Sequence, residues 1–218
     1  MTETRRKGKL FLPESVMRKI VSHLKKSDPV MSGIVDAVGA YRMAFLDPCF
    51  SSLARSIAFQ QLSGTVARVI YGRLEAAVKS GGMTPEGILR LRPQRMRSLG
   101  LSKQKTEYIR DLARCTRDGI IVFEDLPRMT DEEVITCLTQ VKGIGVWTAQ
   151  MFLMFALGRQ DVLAFGDLGI QTAIKKAYGM EALPKPAEVE EIGAKWKPYR
   201  TAACWYLWRS LEVKGGAL

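Results

Sequence analysis

The chain has a single histidine, His23, in 218 residues. One histidine gives imidazole triads and histidine metal sites almost no raw material, so acid–base chemistry falls to carboxylates. Cysteine is scarce too: Cys49, Cys115, Cys137 and Cys204 lie far apart. No pair has the short spacing of a zinc site, and no clustered run could hold an iron–sulfur centre. They read as small buried hydrophobes in a reducing compartment. Long apolar runs are missing as well. The longest uncharged stretch, 143–158, is too short to span a bilayer as a helix. Near the N-terminus, Arg5, Arg6, Lys7 and Lys9 surround only Leu10, Phe11 and Leu12, which is not the pattern of an export signal. A hydrophobic content of 47% with 25% charged residues also argues against a disordered chain. Secreted, membrane-spanning and disordered classes are therefore set aside, and the length allows one domain or two packed lobes.

Negative charge is the minority sign. Lys and Arg number 33 against 22 Asp and Glu, for a net charge of +11. The surplus is uneven. Residues 90–117 hold nine cations (Arg90, Arg92, Arg95, Arg97, Lys103, Lys105, Arg110, Arg114 and Arg117) against Glu107 and Asp111, so +7 lies there. Such a segment is either a solvated face or a phosphate-facing surface, because clustered cations gain from counterion release on a polyanion. Charge alone does not separate DNA from RNA or from an acidic protein.

The apolar spacing is helical almost throughout. Phe50, Leu53, Ala54, Ile57 and Ala58 recur at three and four, giving one buried stripe. After Ser63 and Gly64, Val66, Val69, Ile70 and Leu74 begin a second. Asp28-Pro29 and Asp47-Pro48 mark turns before helices. Residues 102–117 predict an amphipathic helix with Tyr108, Ile109, Leu112 and Ala113 inward. Ile120 to Phe123 is the best strand candidate, with a loop anchor as the other reading. The fold class predicted is all-α.

Thr130-Asp-Glu-Glu133 has the form of a capping box, opening a helix through Ile135 and Leu138. VKGIG at 141–145 then precedes a nearly uncharged helix. A Gly-x-Gly turn between helices reaches positive φ without a Cβ penalty. It also presents backbone N–H groups at a helix start, where an anionic oxygen can dock. The plainer reading is a tight loop between packed helices; Lys142 and the apolar helix that follows favour the phosphate clamp.

VKGIGVWTA at 141–149 resembles the hairpin of the helix-hairpin-helix (HhH-GPD) DNA glycosylase superfamily, in particular its 3-methyladenine DNA glycosylase II branch. Four more segments match in order. SIAFQQLSG at 56–64 resembles the wedge-bearing turn, and GLSKQKTEYIRDLA at 100–113 resembles the helix before the hairpin domain. DVLAFGDLGI at 161–170 is similar to the catalytic aspartate loop, and WKPYRTAACWYLW at 196–208 to the C-terminal signature. The resemblance covers roughly residues 45–210 and implies a two-lobed helical bundle with an active-site cleft between the lobes. It implies one lobe from about 1–48 plus 165–218 and another from about 49–164 that carries the hairpin at 141–145. Larger members have an extra β-rich N-terminal domain, for which the residues before the match are too few.

The resemblance places the catalytic carboxylate at Asp167. Locally, Asp167 is most simply the N-cap of a helix starting at Leu168; the two readings are compatible, and Asp161 is the rival carboxylate. Trp147 stands where strand-cutting relatives have a Schiff-base lysine, which implies a monofunctional enzyme. An indole would also stack on a cationic flipped base; the plainer reading makes Trp147 core. Trp208 is implied as another pocket wall, with packing as its alternative. Met151 and Leu168 fall where relatives often have tyrosines, so the base pocket is expected to be more apolar. Leu62 matches the intercalating position, with Gln61 and Ser63 beside it for the minor groove, or else it is the last core residue of its helix. Lys142, Gly143, Ile144, Gly145 and Thr148 are expected to hold DNA backbone. A monovalent cation (Na⁺ or K⁺) on the backbone carbonyls of Thr139, Val141 and Ile144 is carried over from the family, and no other cofactor is required.

The function expected is hydrolysis of the N-glycosidic bond of alkylated purines in duplex DNA, leaving an abasic site. The chain would act as a monomer without a membrane, in the nucleoid-bearing cytoplasm of a prokaryote or in a eukaryotic nucleus. Two rivals stand beside it: a non-catalytic DNA-binding hairpin module, and a glycosylase for other damaged bases. The lesion range, including ethenoadenine, hypoxanthine and methylcytosines, is not legible in the residues.

Overall fold

The computed structural model describes residues 4–6, 9–62, 64–78 and 82–213. It begins with two three-residue strands, β1 (Thr4–Arg6) and β2 (Lys9–Phe11), paired antiparallel with Thr4 opposite Phe11 and Arg6 opposite Lys9. This ribbon is an addition to the helical architecture that the apolar spacing predicts. Three residues per strand are too few to show alternation. The helices α1 (Glu14–Ser27) and α2 (Pro29–Val38) follow. Next come α3 (Phe50–Phe59), α4 (Gly64–Val78), α5 (Pro85–Arg90) and α6 (Pro93–Ser98). Then come α7 (Lys103–Arg117), α8 (Asp131–Leu138) and α9 (Val146–Phe155). The chain finishes with α10 (Leu168–Ala177), α11 (Pro186–Gly193) and α12 (Arg200–Ser210). No described helix is long and apolar enough to cross a membrane.

The chain divides into two compact units, one of residues 1–46 with 158–218 and one of residues 47–157. The later boundary therefore precedes the 164/165 position expected from the motifs. The reason is local hydrogen bonding. The Thr201 amide donates to the Gln160 carbonyl at 3.0 Å, and the Val162 amide to Thr201 Oγ1 at 3.0 Å, tying residues 158–165 to α12.

In the first unit α2 packs on α1 and α12, and α12 packs on α10. A buried carboxylate knits these helices: Asp28, 1% exposed, caps α2 by accepting from the Val30 amide at 2.9 Å and the Met31 amide at 3.4 Å. Its other oxygen accepts from Trp196 Nε1 at 3.2 Å and from the Tyr178 hydroxyl at the C-terminal end of α10. Burial pushes the Asp28 carboxyl up, but the bonds from Tyr178, Trp196, Val30 and Met31 outweigh it and hold it below its usual value.

In the second unit α7 packs against α3, α5 and α6, burying Thr106, Ile109, Leu112, Ala113 and Cys115. Tyr108, expected inward, is only half-buried. The stripe expected on α4 is also rotated. Ala67, Ile70, Tyr71 and Leu74 face the core, whereas Val66 and Val69 are 47% and 50% exposed. Residues 120–123 form no strand; the amides of Ile120 and Ile121 both return to the Cys115 carbonyl, and Ile121 and Phe123 anchor the turn in the core. The capping box forms as its spacing predicts, with Thr130 and Glu133 exchanging bonds at the start of α8.

Candidate active site and nucleic-acid interface

Asp167 is the N-cap of α10, its Oδ1 accepting from the Ile170 amide at 2.8 Å. The same oxygen accepts from Trp208 Nε1, on α12, at 2.9 Å. Two N–H groups converging on one oxygen fix the plane of the carboxylate at the positive end of a helix. Gly169 makes this approach feasible, since a Cβ there would lie 2.9 Å from Asp167 Oδ1 and 3.1 Å from the Trp208 ring. Cap and candidate catalytic carboxylate are thus one residue. Trp208 is half-buried and turned on Asp167. Leu168, 64% exposed, is the neighbour of Asp167.

The rival carboxylate is otherwise engaged. Asp161 accepts from Arg200 Nε at 2.7 Å and Nη2 at 3.0 Å, while its carbonyl takes a third bond from Arg200 Nη2 at 2.8 Å. A bidentate guanidinium neutralises the charge that a catalytic anion must offer. Together with the Thr201 hydroxyl, which donates to the Arg159 carbonyl at 2.6 Å, Arg200 secures the loop leading to Asp167. Cys204 is fully buried in this unit, and burial pushes its thiol up to about 12, consistent with a packing role.

The second unit assembles the hairpin and the turn after α3. Gly143 has φ +82°, and a Cβ there would lie 2.0 Å from the Tyr108 ring. Glycine is needed twice over, for the left-handed backbone and for the close approach. Gln60, the C-cap of α3, donates to the Gly143 carbonyl at 3.1 Å and to Thr148 Oγ1 at 3.4 Å. Lys105 donates to the carbonyls of Ala58 at 2.8 Å and Gln60 at 2.5 Å, and desolvation lowers its pKa from the usual lysine value. Asp111 Oδ2 accepts the Lys142 amide at 2.9 Å and Oδ1 takes Arg114 at 2.9 Å. Burial pushes its carboxyl up, but those bonds and the charges of Arg114 and Lys142 hold it below the usual value. Lys105, Tyr108 and Asp111 stand three residues apart on one face of α7. Each holds one part of the two loops.

Several expected DNA contacts change accordingly. The Lys142 and Ile144 amides are used internally, the latter on the Val141 carbonyl at 3.1 Å. The Gly143, Gly145 and Val146 amides find no acceptor among the described residues. Ile144 is buried, so its side chain anchors the hairpin. Thr148 is buried and its hydroxyl accepts from Gln60, so its side chain is engaged within the unit. The Lys142 side chain is exposed. Gln61, with φ +54°, and Leu62, 38% exposed, form the turn itself, so Leu62 is not the last core residue of α3. Ser63 lies outside the described residues. Trp147 is 46% exposed on the first turn of α9, which sets aside the core reading, and Met151 follows it one turn later, half-buried.

Trp147 and Met151 thus belong to the second unit, and Asp167, Leu168 and Trp208 to the first. Sequence reasoning missed Gln60, Lys105, Tyr108, Asp111 and Gly169 as site-building residues. Nothing local separates Lys105 from Lys103, a second cation in the same first turn of α7. No group of three or more His, Cys, Asp or Glu side chains among the described residues is placed to hold a metal ion.

The model of the family described as HhH-GPD superfamily base excision DNA repair protein matches residues 54–198. The DNA-3-methyladenine glycosylase 1 of Schizosaccharomyces pombe is 35% identical, over 89% of this chain and 91% of its own length. A solved structure of the S. pombe 3-methyladenine DNA glycosylase in complex with abasic DNA superposes with a TM-score of 0.82 at 34% identity, covering 90% of this chain and 98% of the other. A DNA-3-methyladenine glycosidase from Bacillus halodurans gives a TM-score of 0.76 at 37% identity, over 89% and 94% of the two chains.

Proposed function

The chain belongs to the HhH-GPD superfamily of base excision DNA repair proteins, and from that premise we propose that it is a monofunctional DNA glycosylase for alkylated purines such as 3-methyladenine and 7-methylguanine. The observation that carries the reading is the carboxylate of Asp167, clamped through one oxygen by the Ile170 amide and the Trp208 indole.

The chemistry asks for little more than that anion. An alkylated purine already bears positive charge, so the C1′–N bond breaks with its electron pair returning to the base, and no strong general acid is needed. Oxocarbenium-like charge then builds on the deoxyribose. Asp167 stabilises it and orients the attacking water, whose oxygen bonds to C1′ while its proton passes to the carboxylate or solvent. Because the carboxylate is already held by two donors, little reorganisation is required as that charge develops. The products are the free base and an abasic site.

Trp147 stacks on the flipped cationic base, with Met151 one turn along the same helix as a further wall; in the other unit, Leu168 and Trp208 flank Asp167. An indole cannot form the Schiff base that a lysine would, so the strand stays intact. Leu62 fills the vacated stack, flanked by Gln61 and Ser63. Lys142 and the amides of Gly143, Gly145 and Val146 take the phosphate. The backbone carbonyls of Thr139, Val141 and Ile144 follow the C-terminal, negative end of α8, which suits a monovalent cation. Val141 spends one of its two lone pairs on Ile144. Such an ion would add positive charge beside the phosphate. The protein acts as a monomer on duplex DNA, wherever the cell keeps its chromosome.

The test is release of free bases from methylated duplex DNA, read by chromatography under single turnover. Wild type releases methylpurines, and Asp167→Asn, which keeps a capping side chain, is slower by roughly 10²–10³. A wild type that frees no methylpurine, or an Asn variant that matches it, overturns the reading. Strand cleavage without alkali, coupled to base release, overturns the monofunctional part alone.

A further inference from the structure

The nine cations of residues 90–117 do not share one task. Arg114 and Arg117 are paired with Asp111 at 2.9 Å and Asp118 at 2.8 Å. Arg110 donates to the Leu91 carbonyl at 2.6 Å, at the end of α5, and Lys105 serves the turn after α3. Arg97 and Lys103 make no ion pair among the described residues. Both are exposed, and with Gln94, Ser98, Leu101 and Ser102 they line a solvent-open hollow of ≈ 610 Å³. It contains no carboxylate. The smaller hollow of ≈ 290 Å³ that holds Arg55 and Arg68 also contains Glu75, which offsets part of its charge.

We propose that the Arg97–Lys103 hollow is a second seat for the DNA sugar–phosphate backbone, distinct from the hairpin; that the polyanion is DNA rests on the glycosylase reading. Three features carry it. Two cations face one concavity with no anion to neutralise them, which is what a phosphodiester needs. Ser102 Oγ accepts the Lys105 amide at 3.1 Å, so its hydroxyl hydrogen is available to a phosphate oxygen, whereas Ser98 spends its own on the Arg95 carbonyl at 2.8 Å. The hollow is open rather than enclosed, which fits a continuous backbone better than a small nucleotide, since small-ligand sites bury most of the ligand. Its position agrees. Ser102 and Lys105 are separated by about 5 Å of helix rise, and Lys105 holds the turn that carries Gln61 and Leu62.

The experiment is the salt dependence of binding to an undamaged duplex, by fluorescence anisotropy between 50 and 200 mM salt. Two double variants lose the same charge. Arg97→Ala with Lys103→Ala empties the hollow. Arg18→Ala with Lys25→Ala removes two cations already paired with Glu14 and Asp36. The hollow variant should flatten the log–log slope by about 1.8, which makes its affinity roughly tenfold less sensitive to that salt range. The control variant should keep the wild-type slope. Equal slopes in the two variants, or a hollow variant indistinguishable from wild type, overturns the proposal. Base release is scored separately on methylated duplex. A wild type that shows the hollow-dependent slope without releasing base sinks the glycosylase reading and leaves the seat intact; release with an unaltered slope sinks only the seat.

Discussion

Gln60 donates its side-chain amide to the carbonyl of Gly143, 83 positions further along the chain, at 3.1 Å. Through this bond the turn after α3 and the hairpin before α9 hold one another. Gln60→Met keeps the length of the side chain and removes the donor. It should cost about 1 kcal/mol in chemical denaturation and weaken duplex binding several-fold in a titration, since both loops contact DNA in the proposed function. Gln60→Glu should be worse, because its carboxylate would meet the Gly143 carbonyl. Wild-type binding in both variants would show that the bond does not organise the loops.

Gly143→Ala faces two penalties: a left-handed backbone with φ +82° and a Cβ placed 2.0 Å from the Tyr108 ring. The backbone term alone costs about 1–2 kcal/mol, and the clash adds to it. Adding Tyr108→Ala removes the clash but not the strain. Denaturation of the single and double variants should therefore show partial recovery in the double. No difference between them would mean that the ring moves aside at no cost.

Trp208→Phe preserves most of the aromatic surface and deletes the N–H that meets Asp167 Oδ1 at 2.9 Å. A hydrogen bond to a charged group is worth about 1.5–3 kcal/mol, so the base-release rate should fall by roughly 10- to 100-fold if the bond orients the carboxylate for reaction. An unchanged single-turnover rate would reduce Trp208 to packing.

Asp28 makes stability depend on acid. Its folded-state pKa is lowered below the ordinary value of 3.8 by Tyr178, Trp196, Val30 and Met31, against the opposing effect of burial. A depressed carboxyl contributes stability that is fully present above the unfolded pKa and is lost as the pH falls through the folded one. Asp28→Asn should therefore be less stable than wild type by about 1–3 kcal/mol at pH 7, with the difference shrinking below about pH 4. A gap that stays constant from pH 7 to pH 3, in denaturant midpoints, would mean that the charge contributes nothing.

Much of the candidate site is written in single segments. The capping box at Thr130, the glycines at 143 and 145, and Asp167 as a helix cap involve residues within a few positions of one another, where backbone geometry follows from side-chain type. The failures lie where a choice depended on distant partners. Periodicity marked Val66 and Val69 as core, but α4 turned Ala67 and Tyr71 inward instead. The hold of Gln60 on Gly143 and Thr148 likewise left no mark in either segment.

By itself the order of residues determined the helical class, the stop and start signals, the carboxylate that caps α10 and the excess of positive charge. Those properties depend on contacts three or four positions apart, or on no contact at all. Only the tertiary structure decided which cations remain unpaired, which carboxylate is neutralised by Arg200, and how Lys105, Tyr108 and Asp111 hold two loops from one helix face. Pairing is a matter of a few ångströms between residues far apart in the chain, and chain distance carries no record of it.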